Sequence, residues 1–194
     1  MSVEDSGVSV DGSAGSCSRD ALVAYLGLGS NLGGRLEHLR AAVRRLASAA
    51  QVEVVRVSSL YETSPVGGPV GQGNFLNAVV GVSTSGAPEQ VLAHAQAIEH
   101  ALGRERTVAD GPRTVDIDLL LHGQRVLQTD VLEVPHPRMH LRRFVLVPLA
   151  EIAPEAVHPV RKQTVRELLD ALCADGSSGS QRVERVRGPE WARG

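Results

Sequence analysis

The chain has 194 residues and a mass of 20.5 kDa, which is room for one domain or for one domain with tails. Hydrophobic residues make up 42% and charged residues 22%, an ordinary globular composition that excludes a fibrous or largely disordered chain. The net charge of −2 and the pI near 6.4 argue against a protein whose main partner is nucleic acid, because such proteins are usually basic.

Both ends of the chain have the composition of tails. Residues 1–20 are rich in Ser, Gly and Asp and predict a disordered tail without the apolar stretch of a signal peptide. Residues 175–194 predict a second, polar tail that could end in a short strand. Cys17 and Cys173 are too few for a disulfide framework or a zinc site, and no apolar run reaches the roughly 20 residues that span a membrane. We therefore expect one cytoplasmic domain over residues 21–174.

Hydrophobic periodicity between the tails predicts alternating strands and helices. The predicted strands cover residues 23–29, 52–61, 75–84 and 115–121, and the predicted helices cover residues 35–50, 88–102, 144–152 and 164–174. The first six elements follow the order strand, helix, strand, strand, helix, strand, which is typical of the βαββαβ ferredoxin-like unit. The predicted fold class is therefore α+β, with an antiparallel sheet and helices packed on one face.

Two glycine-rich segments join these elements. Residues 63–73 form a Gly/Pro loop whose glycines would let backbone amides approach a ligand. The segment Gly27-Leu28-Gly29-Ser30-Asn31 lacks the third glycine of a dinucleotide fingerprint and the Gly-Lys-Ser/Thr of a P-loop. We interpret it as a strand-to-helix turn near a site.

Asp116 and Asp118 are the strongest chemical signal in the sequence. They lie two residues apart in a predicted strand, so both carboxylates point to one face, about 6.6 Å apart along the chain. One interpretation is a pair of exposed acids on the open face of a sheet. The other is a magnesium site, since Mg²⁺ takes one or two carboxylates together with substrate phosphates, and two such ions could clamp a phosphoryl transfer.

Three arginines lie just upstream of this pair, at Arg104, Arg106 and Arg113. Acids for a metal and arginines for phosphate oxygens are what a metal-bound triphosphate would need. The alternative is a solvated loop with weak surface ion pairs. Because Lys162 is the only lysine, phosphate binding would depend on arginine, backbone amides and metal.

Phe75 and Phe144 are the two phenylalanines in a chain with five aromatic residues. The simplest interpretation makes each one a core residue. They could instead sandwich a flat heterocycle, with Asn77 near enough in sequence to read the edge of that ring. His136, held between two prolines, is either a ligand contact or an ordinary turn histidine.

Several segments together resemble a known family. In chain order they are Gly29-Ser30-Asn31-Leu32, Tyr61-Glu62-Thr63, Asn74-Phe75-Leu76-Asn77, Gly111-Pro112-Arg113-Thr114-Val115-Asp116-Ile117-Asp118, Pro135-His136-Pro137 and Arg142-Arg143-Phe144-Val145-Leu146. The Gly-Pro-Arg-Thr-x-Asp-x-Asp segment is highly specific, and the others add to it mainly through their order. Over residues 22–159 the chain resembles the 6-hydroxymethyl-7,8-dihydropterin pyrophosphokinases of folate biosynthesis.

This resemblance implies a ferredoxin-like fold and the transfer of the β,γ-diphosphate of ATP to the hydroxymethyl group of the pterin, with release of AMP. It implies that Asp116 and Asp118 hold two magnesium ions between the ATP phosphates. Arg104 and Arg113 would contact the phosphates and aid the transfer. The implied pterin-binding residues are Thr63, Ser64, Val66, Phe75, Asn77 and Phe144. The implied ATP-binding residues are Leu92, Gln96, Glu99, Arg104, Arg106, Arg113, His136 and Arg142.

The resemblance also implies that ATP and hydroxymethyldihydropterin are the partners of a cytoplasmic monomer without nucleic acid or membrane. Ala109-Asp110 depart from the Arg-Trp of many members, and Pro137 stands where some carry Tyr, which affects nucleotide contacts. An Asp-x-Asp nucleotidyltransferase, which would release pyrophosphate, is one alternative. A second alternative is a pterin-binding relative without activity, but both aspartates are retained. A third is a nucleic-acid-binding module, but two phenylalanines are few for base stacking.

Overall fold

The computed structural model describes residues 21–69, 71–104, 111–175 and 181–193. The helices and strands in chain order are β1 (Leu22–Ser30), α1 (Arg35–Ala47), β2 (Val52–Val57), β3 (Leu60–Thr63), β4 (Phe75–Thr84), α2 (Pro88–Ala101), β5 (Asp116–His122), β6 (Leu127–Gln128), β7 (Glu133–Val134), α3 (Arg143–Ile152), β8 (Val157–His158), β9 (Gln163–Thr164), α4 (Val165–Ala174) and β10 (Val183–Arg187). Short 3₁₀ turns cover Met139–Leu141 and Pro189–Arg193. None of the described helices is both long and apolar enough to cross a membrane.

The main sheet is antiparallel and has the strand order β10-β3-β4-β1-β5, with β2 also paired to β4. Without β10 this is the arrangement of a ferredoxin-like unit, so the predicted fold class is confirmed. The strand predicted over residues 52–61 is divided into β2 and β3 by a break at Ser58 and Ser59, and both serines are buried. The Ser58 hydroxyl accepts a hydrogen bond from the Val79 N–H at 2.9 Å, which satisfies the backbone at this break.

The two helices of the ferredoxin-like unit, α1 and α2, lie on one face of the sheet as predicted, and α3 and α4 cover part of the other face. Side chains alternate along each strand, and on β4 Ala78 and Val80 therefore belong to a different apolar core from Val79. The first core contains α1 and α2, and the second contains α3 and α4. The sequence prediction placed the last two helices after the sheet without assigning them a face.

The C-terminal residues belong to the folded domain, although the sequence predicts a polar tail there. β10 pairs with β3 at the edge of the sheet. Trp191 is 2% exposed in the first core, and its indole N–H donates to the Ser58 carbonyl at 2.8 Å. The Arg40 guanidinium donates to the Trp191 carbonyl at 2.7 Å. The prediction failed because an edge strand of alternating Val, Glu and Arg has the composition of a tail, and a single Trp supplies the anchor.

Candidate active site

A cavity of about 320 Å³ lies over the part of the sheet that α3 leaves uncovered. It is bounded by β1, β4 and β5, by the loop after β3 and by the turn that leads into α3. Most of the predicted site residues meet here. Those that line the cavity are Ser64, Val66, Phe75, Asn77, Arg104, Arg113, Asp116, Asp118, His136, Arg142 and Phe144.

Two glycines of the central strand β1 form part of the cavity floor. Gly29 pairs with Asn77 on one side and with Asp116 on the other, and Gly27 pairs with Asp118. Paired residues share a face of the sheet, so the missing side chains leave space between the amide and the carboxylates. A Cβ atom at Gly29 would lie 2.8 Å from Asn77 Oδ1. Both glycines lie within β1, as the predicted strand over residues 23–29 has them, so the interpretation of the whole segment as a strand-to-helix turn is wrong for these two residues.

β5 presents the two aspartates to the cavity and buries Ile117 between them in the first core. Asp116 is closely paired, with Oδ1 2.6 Å from Arg104 Nη1 and Oδ2 2.6 Å from Arg113 Nη1. The contacts of Asp118 with the described basic side chains are longer. Its Oδ2 lies 3.8 Å from Arg142 Nη1 and 4.0 Å from His136 Nε2.

Asp118 is also a weaker acid than a free aspartate. Burial and, after it, the charge of Asp116 raise the pKa of Asp118 to about 6, while Arg142 opposes that shift. Among the described residues the nearest cation to Asp118 is Arg142 at 3.8 Å, and a carboxylate paired this loosely gains from a bound cation. Two carboxylates on one face are also the oxygen donors that Mg²⁺ prefers, so these residues fit a magnesium site.

Glu99 supports Arg104 from behind the cavity wall. It is 5% exposed on α2, accepts a hydrogen bond from the Ile117 N–H at 2.7 Å and pairs with Arg104. Burial raises the pKa of Glu99, whereas the Ile117 N–H and the Arg104 charge act in the opposite direction. Arg104 is thus held between Glu99 and Asp116, and α2 is fastened to β5.

The other described residues among the predicted ATP contacts, Leu92, Gln96 and Glu99, do not line the cavity. Leu92 packs, partly buried, against the first core, and Gln96 is exposed on α2. Arg106 and the Ala109-Asp110 departure lie outside the described residues. Nucleotide contacts from Leu92, Gln96 and Glu99 therefore stay a prediction.

Phe75 and Phe144 are half-buried on the cavity wall, and Phe144 also packs against the second core, so the simpler interpretation holds in part for Phe144 alone. The Arg113 guanidinium lies 5.8 Å from the Phe75 ring centre, and that of Arg142 lies 5.5 Å from the Phe144 ring centre. Both distances are within the range of cation–π attraction. Each ring therefore lies beside an arginine that also approaches an aspartate.

Asn77 is oriented by Thr63, which is 2% exposed and does not line the cavity. The Asn77 Nδ2 donates to the Thr63 hydroxyl at 2.7 Å, and its Oδ1 lies on the side of Gly29. A buried amide that is fixed in this way can present a defined polar edge to a ligand. Thr63 thus contributes to the site through Asn77.

His136 is a neutral hydrogen-bonding group at the edge of the cavity. Its backbone N–H donates to the Leu120 carbonyl at 2.9 Å, and its Nδ1 accepts from the Arg138 N–H at 3.1 Å. The proton of the neutral ring is therefore on Nε2, the nitrogen nearest Asp118. Burial and the charge of Arg142 lower the pKa of His136 to about 4, so the ring is uncharged near pH 7.

Asn31 connects two loops at the site, a role that the sequence analysis missed. Its Oδ1 accepts from the Arg113 N–H at 2.8 Å, and its backbone N–H donates to the Arg113 carbonyl at 3.2 Å. Its Nδ2 donates to Gln72 Oε1 at 3.2 Å, within the Gly/Pro loop. The available signal was an Asn directly after a Gly-rich strand end, a residue type that often hydrogen-bonds neighbouring backbone.

Comparisons with known proteins show the family of the chain. The sequence model of the 7,8-dihydro-6-hydroxymethylpterin-pyrophosphokinase family matches residues 25–154. A Bacillus subtilis 2-amino-4-hydroxy-6-hydroxymethyldihydropteridine pyrophosphokinase is 52% identical over 130 residues, covering 67% of this chain and 77% of the relative. A Synechocystis protein of the same name is 43% identical over 149 residues, covering 77% of this chain and 75% of the relative.

A solved structure gives the same fold. It is a crystal structure of a Plasmodium falciparum HPPK-DHPS variant with pterin and p-hydroxybenzoate, with a TM-score of 0.65 and 16% identity. The match covers 84% of this chain and 46% of that longer chain, and it bears on the fold alone. With the family match and the two relatives, it follows that the chain belongs to the 7,8-dihydro-6-hydroxymethylpterin-pyrophosphokinase family.

Proposed function

We propose that this chain transfers the β,γ-diphosphate of ATP to the hydroxymethyl group of 6-hydroxymethyl-7,8-dihydropterin and releases AMP. The observation that carries the proposal is the single cavity that combines a carboxylate pair and arginines with two aromatic rings and a fixed amide. The first set suits a metal-bound triphosphate, and the second suits a flat heterocycle. Family membership supports the same reaction.

The pterin would bind between Phe75 and Phe144, with Asn77 reading its polar edge. Stacking on two rings suits a planar substrate, and a buried amide can pair with the donors and acceptors of a pterin. Ser64 and Val66 line the same part of the cavity and would form its outer wall. Thr63 would keep Asn77 in the orientation that binding needs.

Asp116 and Asp118 would hold Mg²⁺, and we expect two ions together with the ATP phosphates. When bound, these ions neutralise phosphate charge and lower the pKa of the attacking hydroxyl group. The weak pairing of Asp118 and its raised pKa support this assignment, because a cation relieves the unfavourable charge.

Arg104 and Arg113 would move from Asp116 to the phosphate oxygens when ATP binds. Each now contacts one oxygen of Asp116 at 2.6 Å, so they are held beside the phosphate site before the substrate arrives. Arg142, between Asp118 and the Phe144 ring, would contact the transferred diphosphate near the pterin. Charge-assisted hydrogen bonds of this kind stabilise the developing charge in phosphoryl transfer.

In the reaction, the pterin hydroxyl oxygen attacks the β-phosphorus of ATP. The bond from that phosphorus to the oxygen bridging the α- and β-phosphates breaks, and AMP leaves with the bonding electrons. The hydroxyl proton passes to water. The residues of the chain act by holding the two substrates in line and by stabilising charge, so a protein nucleophile is not required.

The proposal also covers the partners of the protein. The substrates are the small molecules ATP and hydroxymethyldihydropterin, and the chain acts as a cytoplasmic monomer without a nucleic-acid or membrane partner. The net charge of −2 supports the absence of a nucleic-acid partner.

Analysis of the nucleotide products tests the reaction. The purified protein is mixed with ATP and Mg²⁺, with and without the pterin, and AMP, ADP and pyrophosphate are resolved. AMP that forms only with the pterin, and not with the Asp118→Asn variant, is the expected result. Pyrophosphate would identify a nucleotidyltransferase, ADP would identify transfer of a single phosphoryl group, and absence of turnover by the folded protein would also contradict the proposal.

A further inference from the structure

The residues just before β10 contact two walls of the cavity, although they lie beyond the matched family range of 25–154. The Arg182 N–H donates to the Ser64 hydroxyl at 3.2 Å, and the Ser64 N–H donates to the Arg182 carbonyl at 3.3 Å. The preceding residue, Gln181, contacts the start of α3. The C-terminal segment therefore joins the loop after β3 to the helix that carries Phe144.

Both the oxygen and the nitrogen of the Gln181 side-chain amide form hydrogen bonds to the backbone. Its Oε1 accepts from the Arg143 N–H at 2.9 Å, and its Nε2 donates to the Leu141 carbonyl at 3.2 Å. Since one partner only donates and the other only accepts, the orientation of the amide is fixed. These two backbone groups lie on either side of Arg142, so Gln181 brackets that residue.

The two hydrogen bonds of the Gln181 side chain, called the Gln181 bracket, supply a helix cap that Arg142 cannot provide. α3 begins at Arg143, and the N-cap position is Arg142, whose side chain makes no capping hydrogen bond. An arginine has no acceptor with which to cap the free N–H groups of a helix start. Gln181 accepts from the first of these groups instead. Arg142 can then direct its guanidinium toward Asp118 and the Phe144 ring.

We infer that Gln181 is a positioning residue for Arg142 and Phe144. By holding the peptide groups on both sides of Arg142, it fixes where the guanidinium lies and how the Phe144 ring faces the cavity. This inference rests on the proposed function, because it assigns Gln181 a part in binding the pterin and its transferred group. Gln181 touches neither substrate and acts through the two residues that do.

The Gln181→Met variant tests the inference, since it keeps the length of the side chain and removes both hydrogen bonds. We expect kcat/KM for the pterin to fall about tenfold, a loss typical of a misplaced binding group. The unfolding midpoint should lie only slightly below that of Glu184→Gln, a control at an exposed position of β10, because one helix cap is lost. A kcat/KM within about twofold of the wild type would overturn the inference.

Trp191→Phe separates positioning from a purely structural role. It removes the indole hydrogen bond to Ser58 and weakens the anchor of β10 without touching Gln181. We expect it to lower the unfolding midpoint more than Gln181→Met does and to leave kcat/KM for the pterin unchanged at 25 °C. An equal loss of kcat/KM in both variants would mean that Gln181 acts only through stability, which would also overturn the inference.

Amide hydrogen exchange makes the test independent of the reaction. Without its partner, the Arg143 N–H should exchange about tenfold faster in Gln181→Met, while amides in the middle of α3 keep their wild-type rates. Unchanged exchange at Arg143 would overturn the inference whatever the activity. Faster exchange combined with a wild-type protein that forms no AMP would mean that the Gln181 bracket exists and that the proposed function is wrong.

Discussion

The two faces of the main sheet differ in what their side chains do. On the first face, α1 and α2 cover a continuous apolar surface. On the second, α3 and α4 cover only part, and the rest carries glycines, an amide and two carboxylates around the cavity. β5 shows the contrast within one strand, since Ile117 and Leu119 are buried in the first core while Asp116 and Asp118 line the cavity.

This contrast explains how the strand can hold charges in an unfavourable place. A fully buried Ile or Leu side chain contributes about 1.5–3 kcal/mol. Ile117 is 3% and Leu119 4% exposed, so the alternate positions of β5 fasten the strand to α2. That stability offsets the cost of partly desolvating two neighbouring carboxylates on the opposite side. Neighbouring residues of this one strand therefore serve the apolar core and the cavity in turn.

The largest expected effect comes from single substitutions at two adjacent positions of β5, one on each face of the sheet. Asp118→Asn should lower turnover by about 10³-fold and leave the fold intact, because it removes a proposed metal ligand. Ile117→Ala should cost about 2–5 kcal/mol of unfolding free energy, with kcat per folded molecule retained. Steady-state kinetics and urea unfolding of both variants measure the contrast. If Asp118→Asn kept its turnover, or if Ile117→Ala were as stable as the wild type, the division between the two faces would be wrong.

The second effect concerns the C-terminal residues that complete the first face. Trp191→Ala should lower the unfolding free energy by about 3–5 kcal/mol, since it removes a large buried ring and leaves the Ser58 carbonyl without its donor. Urea unfolding measures this loss, and the exposed substitution Glu184→Gln serves as the control. A loss below about 0.5 kcal/mol would show that residues 181–193 behave as the tail that the sequence predicts.

Periodicity and local motifs were sufficient to predict the layout of the sheet and the chemistry of β5. The starts of α1 and α2 and the shared face of Asp116 and Asp118 follow from spacing alone, because side chains on a helix or a strand recur with fixed periods, whereas α1 ends three residues before its predicted end. The positions of Phe75 and Phe144 on the cavity wall required more. Their sequence context allows a core position equally well, and only the tertiary fold distinguishes the two.

The features that the sequence did not reveal depend on contacts between distant residues. In the sequence alone, Gly27 and Gly29 have the composition of a turn. The space that they leave on the cavity floor is apparent only once β4 and β5 are paired on either side of β1. The anchor at Trp191 pairs with a carbonyl at Ser58, more than a hundred residues earlier. Polar patterns of this kind have no period, so hydrophobic spacing cannot predict them.

Substitutions at the two glycines of the cavity floor form a matched pair whose expected effects are intermediate. Gly29→Ala should raise the KM for the pterin about tenfold, because its Cβ atom would lie 2.8 Å from Asn77 Oδ1 and must displace that amide. Gly27→Ala should have a smaller effect, about twofold, because its Cβ atom would meet Leu120 at an ordinary 3.5 Å. Pterin titrations at saturating ATP measure both. Equal effects of the two substitutions would contradict the role given to Asn77.

The smallest expected effect is a gain in stability from a substitution on the cavity face of the sheet. The folded-state pKa of Asp118, about 6, exceeds the value of 3.8 for a free aspartate, so between these values the folded state binds more protons than the unfolded state. The contribution of Asp118 to stability therefore falls as the pH rises from about 4 to about 6. Asp118→Asn removes this charge and should be more stable than the wild type above pH 6 in EDTA. Below pH 4 the two should be equal.

With Asp118 39% exposed, solvent screening reduces the expected gain to on the order of 1 kcal/mol, or about 2–4 °C in the unfolding midpoint. Mg²⁺ should remove the difference by stabilising the wild type and not the variant, because an ion that binds only the folded state raises its stability by mass action. Thermal unfolding in EDTA and in Mg²⁺ at pH 4 and pH 7.5 measures all four arms. A variant that is less stable than the wild type at pH 7.5 in EDTA would mean that Asp118 is stabilised by its arginine and histidine neighbours. The carboxylates on the cavity face would then carry no electrostatic cost, and the two faces of the sheet would differ in shape alone.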